Sequence, residues 1–190
     1  MGYHRAGFDI VGVDIEPQPR YPFTFVQADA LEYLASANLA DVAAIHASPT
    51  CQHHARVTAW RGDRYGHPDL LTPTLAALAR IDKPWIVENV PEAADILRPD
   101  YHLCGTQFGL AVKRHRIFQC GGWAAYELMQ PCLCYRNDAL FPFEHKNERA
   151  FADAMGCRWM NKTEARQAIP PAYTEYIGHQ LLGALEAVAA

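Results

Sequence analysis

DVAAIHASPTCQHH, residues 41–54, is the stretch on which the fold turns. Its first half, Val42-Ala43-Ala44-Ile45, is apolar and uncharged, the pattern of a short strand covered on both faces. Ser48-Pro49-Thr50 halts that run, because proline offers no ladder donor and fixes its own backbone angle. Cys51 is therefore expected in a rigid loop just past the C-terminal end of a buried strand. In an open α/β sheet that edge is where ligands bind. A cysteine there is either a nucleophile, its thiolate favoured by nearby histidines and arginines, or small buried filler.

Upstream, Gly7 closes a short N-terminal helix. Asp9 to Asp14 (DIVGVD) reads as a strand ending in an acid, which either bonds ribose hydroxyls in a nucleotide-type site or caps a turn. Phe23 to Gln27 reads as another strand, and Asp29 caps a helix running to about Ala37. Downstream, Leu70, Leu71, Leu75, Leu78 and Ile81 share one helical face over 69–81. Trp85-Ile86-Val87 is a second buried strand, running into Glu88-Asn89-Val90-Pro91. A short helix over 92–97, strand and turn over 101–110, and a strand at Ile117-Phe118 follow. Residues 120–143 lose periodicity and contain Gly121-Gly122, three cysteines and prolines, so they form an irregular insertion. Helices over 147–155, 163–168 and 172–189 complete the chain. This alternation predicts an α/β fold with a parallel or mostly parallel sheet.

The chain has 190 residues, enough for one good core; half are apolar and 20% charged, an ordinary globular balance. No run approaches the ~20 apolar residues of a membrane span, and no signal segment precedes the first strand. Six irregularly spaced cysteines point to a reducing, cytoplasmic setting rather than a disulfide scaffold. A net charge of −4 gives no global attraction to nucleic acid. Locally, Arg56, Arg61 and Arg64 follow the cysteine loop and Lys113-Arg114-His115-Arg116 are contiguous, clusters that are either solvated surface or a nucleic-acid contact.

Ser48-Pro49-Thr50-Cys51-Gln52, Glu88-Asn89-Val90 and Arg114-His115-Arg116 stand in this order at the ends of successive strands. Together they resemble the DNA (cytosine-5) methyltransferases, whose motifs read Pro-Cys-Gln, Glu-Asn-Val and Gln-x-Arg-x-Arg. Gly2-Tyr3-His4-Arg5-Ala6-Gly7-Phe8 resembles the helix end after that family's cofactor loop. Gln167-Ala168-Ile169-Pro170 with Tyr176-Ile177-Gly178 resembles its closing motif. The resemblance implies a Rossmann-like class I methyltransferase sheet, S-adenosylmethionine as cofactor, double-stranded DNA as partner, and a monomer of the restriction-modification or phage kind. It implies catalytic roles for Cys51 (addition to cytosine carbon 6), Glu88 (proton or hydrogen bond at N3), and Arg116 with Arg114 in support (the base carbonyl), with the base flipped out of the duplex. Asn89 is expected to brace the cysteine loop. Asp14 and the adjoining Ile15 would meet the cofactor's ribose, Asp29 and Ala30 its adenine, and Pro49 its methionine side.

The chain departs from the family in three places. Thr50 replaces the proline before the cysteine, and Val112 replaces the glutamine of the arginine motif. The family's first strand and its Phe-x-Gly-x-Gly-Gly loop precede the residues that match, so Met1 is expected to be an internal or misassigned start. Losing that central strand is expected to expose apolar edges on its two neighbours. The resemblance divides the chain into a catalytic core (1–119), a very small target-recognition insertion (120–160) and returning helices (161–190). Within the insertion, Cys120, Cys132, Cys134 and His145 either make a zinc site or are ordinary free side chains. The rival to the enzyme is a catalytically impaired relative that binds DNA and lacks the cofactor loop.

Overall fold

Short apolar runs bounded by glycine, proline and aspartate produce short strands. The computed structural model describes residues 1–60, 62, 66–135 and 148–189. β1 (Val11–Asp14) and β2 (Thr24–Gln27) pair in parallel, Val11 opposite Thr24 and Asp14 opposite Gln27. β3 (Ile45–Ala47), β4 (Trp85–Asn89), β5 (Tyr101–Leu103) and β6 (Arg116–Gly121) form a second sheet in the order β3-β4-β6-β5. β3 is parallel to β4, whereas β6 runs antiparallel to it with Glu88 opposite Phe118. The architecture is mixed α/β, with parallel and antiparallel strands in one small sheet. The mostly parallel sheet expected from alternation is thus only partly present. Between Asn89 and Arg116 the helical elements are only 3-10 turns, at Pro91–Ala93 and Gly105–Phe108, with β5 between them and no full covering helix. A parallel crossover is normally built round such a helix.

The chain divides into two units. The first comprises Met1–Gln27, Leu103–His115 and the described part of 128–190; the second comprises Ala28–His102 and Arg116–Glu127. Of the expected insertion, residues 120–127 belong to the second unit and the described remainder to the first.

In the first unit, α1 (Gly2–Arg5) lies on α7 (Pro171–Ala189). A Cβ on Gly2 would collide with Pro171 O and Thr174 Oγ1, and one on Gly178 would sit 2.8 Å from the Ala6 Cβ. The glycines therefore set how closely the two helices approach. Gly7, at φ +107°, ends α1 as expected. α5 (Glu148–Ala154) and α6 (Lys162–Gln167) enclose Val112, Phe151, Ala152, Met155, Cys157 and Ala165.

In the second unit, α2 (Ala30–Ser36) is capped by Asp29 Oδ1, which accepts from the amides of Leu31 and Glu32. α4 (Leu71–Leu78) buries Leu71 and Leu78 against Val87, Ala93, Leu97 and Ile117. Each such side chain contributes about 1.5–3 kcal/mol by leaving water. The strand expected over 42–45 forms instead at Ile45–Ala47 and is half-buried, not covered on both faces. Val42 is spent in a turn, its amide bonded to Leu39 O, and among the described residues β3 pairs with β4 alone. Among the described residues, no helix is long and apolar enough to cross a membrane.

Candidate active site

Cys51 stands four residues beyond the end of β3, half-buried and with a free thiol. Its carbonyl accepts from the amides of His54 (3.0 Å) and Ala55 (2.8 Å), starting the turn that leads into α3 (Arg56–Trp60). His53 Nδ1 donates to His67 O at 2.8 Å, and buried His54 places Nε2 3.2 Å from Asp69 Oδ1. Both imidazoles thereby hold the loop to residues 67–69. Asp69 also accepts from Leu71 N (2.9 Å) and Thr72 Oγ1 (2.6 Å), capping α4. Partial burial pushes its carboxyl up, but the bonds from Thr72, His54 and the Leu71 and Thr72 amides outweigh this and hold it at about 2. Asp69 is an anchor not foreseen from the sequence, although an aspartate immediately ahead of an apolar run, with Thr72 three positions on, is the signal for it.

β3 and β4 are parallel neighbours, so Cys51, beyond the end of β3, and Glu88-Asn89, the last residues of β4, belong to the same sheet edge. β6 is antiparallel to β4, so its first residue, Arg116, begins at that edge as well. Arg116 Nε lies 2.7 Å from Glu88 Oε1, with side-chain exposures of 13% and 9%. Asn89 Nδ2 donates to Pro49 O at 3.1 Å, while its Oδ1 accepts from Val90 N at 2.9 Å. The brace expected of Asn89 is therefore present, and it joins the Glu-Asn-Val segment to the cysteine loop.

Arg114 lies in the first unit, 3% exposed, and donates from its guanidinium to Arg166 O at 2.6 Å. Its own carbonyl accepts from the Tyr173 hydroxyl. The arginine segment is thus fastened to the residues flanking Gln167-Ala168-Ile169-Pro170. Arg61 and Arg64 lie outside the described residues.

The candidate cofactor residues are shared between the units: Asp14 and Ile15 in the first, Asp29, Ala30 and Pro49 in the second. Asp14 ends β1 and accepts from Glu16 N at 2.9 Å through Oδ1 and from Gln18 Nε2 at 3.2 Å through Oδ2. Ile15 is exposed, and its carbonyl accepts from Gln27 Nε2. A shallow hollow of about 620 Å³ adjoins this turn, lined by Pro17, Gln18, Pro19, Arg20, Phe25, Gln27 and Glu164 of the first unit. Asp29 caps α2 with Oδ1 alone, and Ala30 is the first, exposed residue of that helix.

The four residues weighed from sequence as either a zinc set or free side chains are not found gathered among the described residues. His145 lies outside the described residues, and Cys120 belongs to the second unit, its thiol pushed up by burial and by the charge of Asp100. Cys132 and Cys134 gather instead with Cys104 and His115. Burial raises the Cys104 thiol, but hydrogen bonds from His115 and Thr106 and the His115 charge bring it to about 6. Neither Cys104 nor His115 was picked out as a ligand from sequence, because their spacing matches no common zinc pattern.

No protein-family model matches the chain, and no curated protein or solved structure matches it either.

Proposed function

We propose that this chain is a DNA (cytosine-5) methyltransferase of Rossmann-like class I architecture, acting on a cytosine flipped out of double-stranded DNA. The observation that carries the reading is the meeting, at one sheet edge, of the Cys51 loop, Glu88 and Arg116, with Asn89 tying loop to strand. Carbon 5 of cytosine is a weak nucleophile until something adds at carbon 6. The Cys51 thiolate makes that bond and turns the ring into an enamine. Glu88, protonated from solvent as it leaves the Arg116 ion pair, donates a hydrogen bond to N3, and Arg116 donates to the ring carbonyl as charge develops. S-adenosylmethionine, when bound, would supply an electrophilic methyl group to carbon 5, its sulfur–methyl bond breaking to release S-adenosylhomocysteine. Loss of the carbon 5 proton to solvent and expulsion of Cys51 restore the aromatic ring and the thiolate.

Each acid, taken in its own unit, has a carboxylate oxygen not committed to a backbone amide. A ribose hydroxyl at Asp14 Oδ2 would displace the Gln18 amide and leave the Glu16 backbone bond intact. Asp29 keeps one oxygen for the helix cap and has the other for an adenine amino group.

The test is trapping. Duplex DNA carrying 5-fluorocytosine, incubated with the protein and S-adenosylmethionine, is expected to yield a denaturation-resistant adduct that Cys51→Ser abolishes. DNA binding without an adduct, with the upstream reading frame included as well as without it, would overturn the enzyme and leave the DNA-binding relative.

A further inference from the structure

We propose that Cys104, His115, Cys132 and Cys134 form a structural Zn²⁺ site in the first unit. The four potential ligand atoms lie within 4.8 Å of one another, and the sulfurs of Cys132 and Cys134 are 3.1 Å apart. A tetrahedral zinc with bonds of about 2.3 Å to sulfur needs ligand atoms about 3.8 Å apart, so sub-ångström shifts would seat it. Three thiolates and an imidazole are a soft donor set that selects zinc over magnesium or calcium. Four protein ligands leave no position for water or substrate, which makes the site structural.

The surrounding bonds hold the cluster together without any metal. Gly105 has no Cβ, and one there would collide with Val112 O. That close approach turns the chain back so that His115, three residues later, hydrogen-bonds the Cys104 thiol. Cys104 N donates to Gln107 Oε1 at 2.6 Å, and Gln107 Nε2 donates to Gln130 O at 2.8 Å. Leu133 N donates to Thr106 Oγ1 at 3.1 Å, between the two cysteines of the Cys-x-Cys. Thr106 Oγ1 is in turn 3.4 Å from the Cys104 sulfur, the kind of outer contact that orients a thiolate ligand.

The segment held this way needs a staple. Leu128, Leu133 and Tyr135 are 72%, 42% and 73% exposed, so it has little core of its own. Zinc would bind the sulfurs as thiolates and His115 as neutral imidazole, the displaced thiol protons passing to solvent. The proposal is independent of the methyltransferase reading, since it uses none of Cys51, Glu88 or Arg116.

The experiment is metal analysis of the full chain purified without chelator, then replacement of zinc by Co²⁺. One zinc per chain is expected, with cobalt giving tetrahedral visible bands and a thiolate charge-transfer band for three sulfurs. Cys104→Ser and Cys132→Ser should each weaken cobalt binding by more than about tenfold, and Cys120→Ser should leave it unchanged. Alkylation mapped by mass spectrometry covers the case of variants that do not fold. In the unmodified chain, zinc should shield Cys104, Cys132 and Cys134, and a chelator should expose all three. Absence of both zinc and cobalt bands, equal alkylation with and without zinc, or a Cys132–Cys134 disulfide would overturn the site.

Discussion

Arg116 Nε and Glu88 Oε1 are 2.7 Å apart, nearly out of solvent, on neighbouring strands that run in opposite directions. Neither charge is cheaply held without the other. Two ions withdrawn from water pay a desolvation cost that their mutual attraction offsets only while both remain.

Removing one partner should therefore cost more than removing both. Glu88→Ala or Arg116→Ala is expected to lower unfolding free energy by about 3–5 kcal/mol. The double variant should recover part of that loss. Urea unfolding of the full cycle measures the coupling, and strictly additive losses would show that the pair is not energetically linked.

Asn89 carries the connection between β4 and the cysteine loop. Asn89→Ala leaves Pro49 O and Val90 N without their side-chain partners and should cost about 1–3 kcal/mol. Faster alkylation of Cys51, with the cysteines of the first unit unchanged, is the expected signature. An unaltered rate would mean that the loop is held by His53 and His54 alone.

Burial lowers the His46 imidazole on β3 from 6.5 to about 4. The unfolded chain thus takes up a proton at a higher pH than the folded one does. The corresponding stability is complete above about pH 6.5 and is lost as pH falls from there through about 4. Urea midpoints across this range should fall in the native chain and flatten in His46→Phe.

Two glycines of α7 should respond oppositely to the same change. A Cβ at Gly183 meets nothing within 4 Å, so Gly183→Ala should stabilise by about 0.5–1 kcal/mol through helix propensity. At Gly178 the added carbon would press on Ala6, 2.8 Å away, and the overpacking, about 1–3 kcal/mol, should outweigh that gain. Thermal unfolding of the two variants should shift in opposite directions.

Local signals were legible wherever one residue decides. Asp29 as a cap, Gly7 as a helix end, the Leu71 and Leu78 face, and proline after β3 all act through bonds or angles within a few positions. β3 itself was misplaced toward Val42, because an apolar run does not say which of its residues will find a partner strand. The candidate site was legible as residue types in order, Cys51, Glu88, Asn89 and Arg116, and not as an arrangement.

Sequence alone thus determined the chemistry on offer: a thiol behind a proline, an acid and amide at the end of an apolar strand, arginines further on. Only the tertiary structure decided that β6 runs against β4, bringing the start of that strand to the edge where β3 and β4 finish, so that Arg116 meets Glu88. It also drew Cys104 and His115 to Cys132 and Cys134, separated by long stretches of chain. The reason is physical. Side-chain type and local propensity are properties of neighbouring residues, whereas strand direction and the convergence of distant side chains follow from packing the whole unit at once.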